Sequence, residues 1–277
     1  MLVHGLQTRI VVPIFNAAHA TEACLRSLLA ATPPEFAIEL YDDASTQPEM
    51  PALLARFAAQ SQGRMRVVRQ AQNLGFVANC NRAMANTEEH VLLLNSDTQV
   101  SSGWLPEMLA VAQSARDVAS VTPFSNNAEI CSFPELCVAA PVPVNLDVIA
   151  RALRLAEPSP PIELPTAVGF CMWINRHVLR RIGDFDWATF GRGYGEENDW
   201  CCRATGHGFR HLLAARAYVT HVGGQSFAPL GERPGGAAMQ RLLARYPHYA
   251  RMIQDFIAAD PIAPARLRAL QHGNPTS

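Results

Sequence analysis

The 277-residue chain carries 23 basic residues, every one an arginine, against 24 acidic ones, for a formal net charge of −1, and so balanced a charge offers no field to hold nucleic acid or an anionic membrane surface. The absence of lysine removes Schiff-base chemistry and the phosphate-binding lysine of a P-loop. With 49% apolar and 17% charged residues, the composition is that of a globular protein with a sizeable core, and the length allows one large domain or two small ones.

The predicted elements begin with a strand at Ile10 to Phe15, followed by an amphipathic stretch at Thr21 to Leu29 and a second strand at Ile38 to Tyr41 that ends in Asp42-Asp43. A helical pattern around Leu53 to Ala59 leads to a strand at Met65 to Val68, a helix from about Phe76 to Met84 and the apolar run Val91 to Leu94. This βαβαβαβ alternation predicts an α/β fold with a mainly parallel sheet and helices on both faces. Ligands of such sheets bind beyond the carboxyl ends of the strands. There the sequence places Asn16, then Asp42 and Asp43, then Asn73, then Asn95-Ser96-Asp97. Any one of these is as well explained by turn and cap chemistry; four in succession at one edge point to a site.

Seven of the twenty prolines fall between Pro134 and Pro165, which predicts a mobile or irregular connection interrupted by a short helix at Val148 to Leu155. Ala167 to Asn175 then reads as a buried strand, Glu196 to Ala204 as a helix opened by the glycine-rich Gly191 to Gly195, and Tyr218 to His221 as a last strand. Two amphipathic helices carrying Met239, Leu242, Leu243 and Tyr246, then Met252, Ile253, Phe256 and Ile257, close the chain. The expected organisation is one domain over residues 1–230 with a helical extension, 231–277, packed on it.

The seven cysteines contain no CxxC pair, and Cys24, Cys80 and Cys171 sit in apolar stretches, so reduced, buried thiols are expected. Adjacent Cys201 and Cys202 with His207 and His211 do not match the spacing of zinc sites. Met1 to Thr8 lacks a basic start leading into an apolar run, and no stretch of about 18 apolar residues occurs. A soluble, cytoplasmic protein with at most peripheral contact at the inner face of a membrane is therefore expected. No GxGxxG, GxxxxGK[ST] or GxSxG pattern is present, which removes support for dehydrogenases, P-loop NTPases and α/β-hydrolases.

Three carboxylates within Glu196-Glu197-Asn198-Asp199, bracketed by Gly191, Gly193, Gly195 and Gly206, either benefit from a helix dipole or supply a general base. Asp97 emerges from a buried run as a helix cap or as an oxygen ligand for Mg²⁺ or Mn²⁺. His221, before Gly223-Gly224, is a surface imidazole or one able to meet a cation or a phosphate.

Taken in order over Arg9 to Phe227, Val11-Val12-Pro13-Ile14-Phe15-Asn16, Asp42-Asp43-Ala44-Ser45, Asn73-Leu74-Gly75-Phe76 through Asn79, Asn95-Ser96-Asp97, and Gly195-Glu196-Glu197-Asn198-Asp199 with Arg203 resemble the family 2 glycosyltransferases. The resemblance implies the GT-A fold and an inverting transfer of a sugar from a nucleoside diphosphate donor, UDP- or dTDP-linked, to a hydroxyl of a glycan acceptor, lipid-linked acceptors included. It implies that Pro13, Phe15, Asn16, Asp42 and Asp43 line the nucleoside pocket and that Asn73, Gly75 and Asn79 approach the donor. Asn95 and Ser96 stand in the family's Asp-x-Asp motif with Asn95 replacing its first aspartate, which leaves Asp97 and the late histidine His221 to hold a divalent cation. Glu197 takes the position of the base, with Asp199 and Glu196 beside it, and Gly169, Phe170 and Trp173 border the acceptor. The Thr122 to Pro134 stretch, with Phe124-Ser125-Asn126-Asn127, is similar to bacterial transferases that build surface polysaccharide or O-antigen, rhamnosyltransferases among them. The alternative is a degenerate, non-catalytic module that binds a nucleotide sugar, and Asn95 is the residue that favours it. A nucleotidylyltransferase would need a basic, glycine-rich phosphate loop near the start, which is not there.

Overall fold

The computed structural model describes residues 6–156, 160–191, 193–223 and 236–273. Strands β1 (Thr8–Ile14), β2 (Ile38–Asp42), β3 (Met65–Arg69) and β4 (His90–Leu94) alternate with helices α1 (Ala18–Ala31), α2 (Met50–Gln60) and α3 (Phe76–Ala85) and pair in parallel, in the order β3-β2-β1-β4. The apolar runs of β1 and β4 are continuous because both faces of the sheet are covered. Ile10, Val12 and Ile14 point into a core shared with α1 and α2, whereas Val11 points the other way into a second core with Val77, Cys80 and Met84 of α3.

Beyond β4 the sheet continues through β5 (Thr98–Val100), α4 (Trp104–Ala112) and β6 (Val118–Phe124), a 3-10 turn at Glu129–Cys131, α5 (Leu146–Leu155), β7 (Ile162–Leu164) and β8 (Cys171–Ile174). Then come α6 (Arg176–Ile182), α7 (Trp187–Phe190), α8 (Glu196–Gly206) and β9 (Arg210–His221). β8 runs antiparallel between β4 and β6, β9 pairs in parallel with β6, and β5 and β7 pair antiparallel with β9. The central sheet is thus mostly parallel, as expected. Helices α9 (Ala237–Arg245), α10 (Tyr249–Ala259) and α11 (Ala263–Leu270) end the described chain; the expected division at residue 230 lies outside the described residues.

Two elements differ from the sequence expectation for visible reasons. The strand expected over Ala167 to Asn175 is paired only from Cys171 to Ile174, because residues 167–170 leave the sheet as a turn at the mouth of the site. The last strand begins at Arg210 rather than Tyr218. Arg210 and His211 break the apolar pattern but are neutralised in place: both guanidinium nitrogens of Arg210 that face Asp117 lie 2.8 Å from its carboxylate, and His211 Nδ1 lies 2.7 Å from Ser120 Oγ. All seven cysteines are free.

Candidate active site

The polar residues after β1, β2 and β3 meet at one edge, where most of them are tied to each other. Asn16, in the left-handed region at φ 56°, accepts through Oδ1 from the N–H groups of Thr46 and Gln47 at 2.8 and 3.1 Å. Asp42 is buried, accepts from Ser45 N–H at 2.9 Å and is ion-paired with Arg69. Asp43 accepts from the N–H groups of Leu74 and Gly75 at 2.7 and 2.9 Å, which fixes the turn at the start of α3. Asn73 donates to the Asp43 carbonyl at 3.1 Å, and Gly75 takes φ 85° at the helix cap. Pro13 is buried within β1 opposite Tyr41, and Phe15 is half-buried just beyond it.

Three expected donor residues therefore serve the scaffold. The side chains of Asn16 and Asp42 are spent on the 45–47 loop and on Arg69. Asn79 is 1% exposed, donates to the Tyr41 carbonyl and accepts from Gln70 Nε2, so it bolts α3 to the sheet rather than facing a ligand. Replacing Asp43 with Ala strands two N–H groups that now meet a carboxylate, and the expected loss is about 3 kcal/mol of unfolding free energy, to be read by urea denaturation.

After β4, Asp97 is buried and lies against His221, at the end of β9, with Oδ1 to Nε2 at 3.6 Å. His221 Nδ1 is 2.9 Å from the Asn127 carbonyl; a carbonyl only accepts, so Nδ1 carries a proton and Nε2 is the ring nitrogen that faces the carboxylate. A carboxylate and an imidazole nitrogen so placed are donors of the kind that bind a divalent cation. The ring is held by a stack on Phe170, with centroids 5.3 Å apart at 23°, and the backbone beneath it by Asn126, whose Oδ1 accepts from the His221 main-chain N–H at 2.8 Å. Asn126 and Asn127 were singled out in the sequence only for resemblance; their place directly after β6 was the signal that they belong to this edge.

Helix α8 opens at Gly195, whose φ of +92° strains any side chain and where a Cβ would sit a tight 3.1 Å from the Phe190 ring. Its first turn carries Glu196, Glu197 and Asp199, where the dipole favours negative charge. The three then diverge. Asp199 is fully buried and saturated by Arg203 Nε at 2.9 Å, Arg245 Nη1 at 2.6 Å and the Tyr246 hydroxyl at 3.0 Å. It joins α8 to α9, with both oxygens engaged in ion pairs or hydrogen bonds. Asp199→Ala should remove about 3 kcal/mol of stability in chemical denaturation, the low end for a broken buried pair because Arg245 is partly solvated.

Glu197 is half-buried, and its Oε2 is buried without a hydrogen-bond partner among the described residues. Burial pushes its carboxyl above the ordinary carboxylate range, and the charge of Glu129 pushes the same way, against hydrogen bonds from the backbone and from Glu196. It lines a cleft of about 380 Å³ together with Asn95, Glu129, Gly169, Phe170, Tyr194, Glu196 and His221. Gly169 sits within ordinary contact of the Glu197 carboxyl, 3.6 Å from where its Cβ would be. A second cleft, of about 430 Å³, is lined by the start of α1, Gln47, Glu49, Asp97 and Gln99. The two clefts share Val222 and meet at the Asp97–His221 pair. Trp173 reaches neither: it is fully buried, stacks on His90 at 4.8 Å and donates to Thr8 Oγ1 at 3.2 Å. Its place on β8, four residues from Gly169, carries it into the core.

Residues 9–183 match the model of glycosyl transferase family 2. The chain belongs to that family. An uncharacterized protein of Mycobacterium tuberculosis, Rv1525, is 28% identical over 166 residues, 58% of this chain and 59% of its own length; the chain thus spans well under two thirds of that relative. The fold is similar to that of GalNAc-T7 with UDP, GalNAc and Mn²⁺, at a TM-score of 0.66, 14% identity and coverage of 98% of this chain and 55% of the other. It is also similar to the mannosyltransferase PcManGT from Pyrobaculum calidifontis in complex with GDP-Man and Mn²⁺, at 0.58, 13% identity and coverage of 97% and 75%. The fold of this family 2 chain is GT-A. No helix of the described residues is long and apolar enough to cross a membrane.

Asp97 and His221 bring one carboxylate and one imidazole nitrogen together at 3.6 Å, and Asn95 lines the cleft that His221 also lines. A carboxylate and an imidazole suit Mn²⁺ or Mg²⁺ when water and phosphate oxygens complete the shell. Among the described residues no group of three or more His, Cys, Asp or Glu side chains is placed to hold a metal by itself, so such a cation would depend on its ligand's oxygens.

Proposed function

We propose that this protein transfers a sugar from a nucleoside diphosphate donor to an acceptor hydroxyl with inversion, Glu197 acting as the base. The observation that carries the reading is the placement of Glu197, poised by burial and with a free Oε2, in a cleft that His221 also lines. A divalent cation held by Asp97 and His221 would offset charge on the donor's diphosphate. The chain's own residues do the rest. The loops after β1 and β2 set the floor for the nucleoside, with Phe15, Asp43 and the Asn73–Gly75 turn as its expected borders. Glu197 Oε2 accepts the acceptor's hydroxyl proton as that oxygen approaches the anomeric carbon from the side opposite the leaving diphosphate. Gly169 leaves space beside the Glu197 carboxyl for the acceptor.

The similarity of the Phe124–Asn127 segment to surface-polysaccharide transferases supports a glycan acceptor, lipid-linked ones included, and a hexosyl or deoxyhexosyl donor such as dTDP-rhamnose. UDP-, dTDP- and GDP-sugars incubated with the protein and Mn²⁺ should release a nucleoside diphosphate from one of them, and the released or transferred sugar should show the inverted anomer by proton NMR. Retention of configuration, or no release from any donor, contradicts the reading; binding without release favours the non-catalytic module, for which Asn95 in place of an aspartate is the supporting observation.

A further inference from the structure

Asn198, between the base and Asp199, is the residue whose surroundings ask for a role. Its Oδ1 receives two hydroxyls, Tyr249 Oη of α10 at 2.8 Å and Thr166 Oγ1 at 2.9 Å, while its Nδ2 lies 3.5 Å from Glu197 Oε1. The reverse orientation would set a carboxamide oxygen against an ionised carboxylate, so the ionised base and the hydroxyl of Tyr249 select the same rotamer. Burial, then the charge of Glu197, pushes the Tyr249 phenol far up, so it remains a donor at every working pH. At 3.5 Å the Nδ2–Oε1 contact is a long hydrogen bond, and hydrogen bonds of catalytic groups are often long before substrate is bound.

We infer that Asn198 is a positioning residue: with its carboxamide fixed by Tyr249 and Thr166, it holds Glu197 by Oε1 so that Oε2 is presented to the acceptor. This deepens the base assignment and rests on it. It also gives α10, which lies beyond the residues that match the family model, a part in the chemistry: the C-terminal helices set the orientation of the base through a two-bond chain, Tyr249 to Asn198 to Glu197.

The other titratable groups that face Glu197 are Glu196 on the same helix, Glu129 on the 3-10 turn, the phenol of Tyr249, and the thiols of Cys80 and Cys201. Burial pushes both thiols up, Cys201 to about 12, and keeps them neutral. Of these groups only Tyr249, which donates to Asn198 Oδ1, touches Asn198, so a substitution there that adds no charge reports the carboxamide contact and its support.

The test is a carbon-13 carboxyl titration of glutamate-labelled protein, with the Glu197 resonance assigned by its loss in Glu197→Gln. Asn198→Ala removes the N–H donor beside Oε1 without adding a charge; because a hydrogen bond to the ionised form is lost, the Glu197 midpoint should rise. Tyr249→Phe, which frees the carboxamide to turn, should move it in the same direction by less. A Glu197 midpoint unchanged in both Asn198→Ala and Tyr249→Phe overturns the inference, even if Glu197→Gln is inactive. Glu197→Gln that still releases nucleoside diphosphate at the wild-type rate overturns the base assignment instead, whatever the titration shows of Asn198.

Discussion

Glu197→Gln should lower turnover by a factor of about 10² to 10⁴, the usual contribution of a positioned general base, while nucleoside diphosphate binding is unchanged. The amide keeps the shape of the side chain and its place in the cleft but cannot accept a proton, so the loss belongs in kcat and not in donor affinity. The pH dependence has a definite sign. The carboxyl of Glu197 is raised by burial and by Glu129, and the base works only when ionised, so activity should fall on acidification with a midpoint above the ordinary carboxylate range. Stability runs the opposite way. In the interval between its ordinary and its raised pKa, the folded protein holds a proton that the unfolded chain has lost, so ionising the group as pH rises through that interval costs folding free energy. Glu197→Gln should therefore raise the melting temperature at neutral pH and leave it nearly unchanged below the ordinary carboxylate range, a stability gained where function is lost.

The second large effect concerns Asp97 and His221. With His221 Nδ1–H committed to the Asn127 carbonyl, only Nε2 faces Asp97, 3.6 Å away. Asp97→Ala removes the only carboxylate of the pair, and Mn²⁺ binding in the presence of a nucleoside diphosphate should weaken by about 100-fold or more, read from the free-Mn²⁺ signal in electron paramagnetic resonance; changes to partners that merely orient a ligand typically cost 10- to 100-fold, and losing a ligand costs no less. Asn126→Ala, which removes the bond to the His221 N–H, should fall within that smaller range. Equal Mn²⁺ binding by Asp97→Ala and wild type would place the cation elsewhere.

The first half of this architecture was legible because β1 to β4 and their helices are driven by local pattern. Apolar runs of strand length alternate with helical periodicity, and burial on both faces leaves little for tertiary context to override. The second half was less so. β9 hides its length behind Arg210 and His211, whose partners, Asp117 and Ser120, lie about ninety residues earlier. Trp173 looked like a ligand-facing aromatic next to Gly169 and Phe170, yet the pleat and the antiparallel insertion of β8 carry it to His90 and Thr8. Within the site, residue type was informative and partner was not. The motif containing Glu196, Glu197 and Asp199 marks the right helix, but only the structure separates Asp199, saturated by two arginines and a tyrosine, from Glu197 with its open oxygen. The same holds after β1 to β3, where Asn16, Asp42 and Asn79 build the platform on which Asp43 and the Asn73–Gly75 turn are set. Asn198 and Tyr249 carried no sequence signal: their part depends on a contact between α8 and α10, fifty-one residues apart.

The most direct measurement of the central claim is a thermal-shift series on the wild-type protein with UDP, dTDP, GDP and CMP, each with and without Mn²⁺. A ligand that binds only the folded state stabilises it, by about 2.7 kcal/mol at one hundred times its Kd. The account predicts a rise in melting temperature with one nucleoside diphosphate, large with Mn²⁺ and small without it, that disappears in Asp97→Ala. No shift with any of the four, or a shift indifferent to both Mn²⁺ and Asp97, would contradict it.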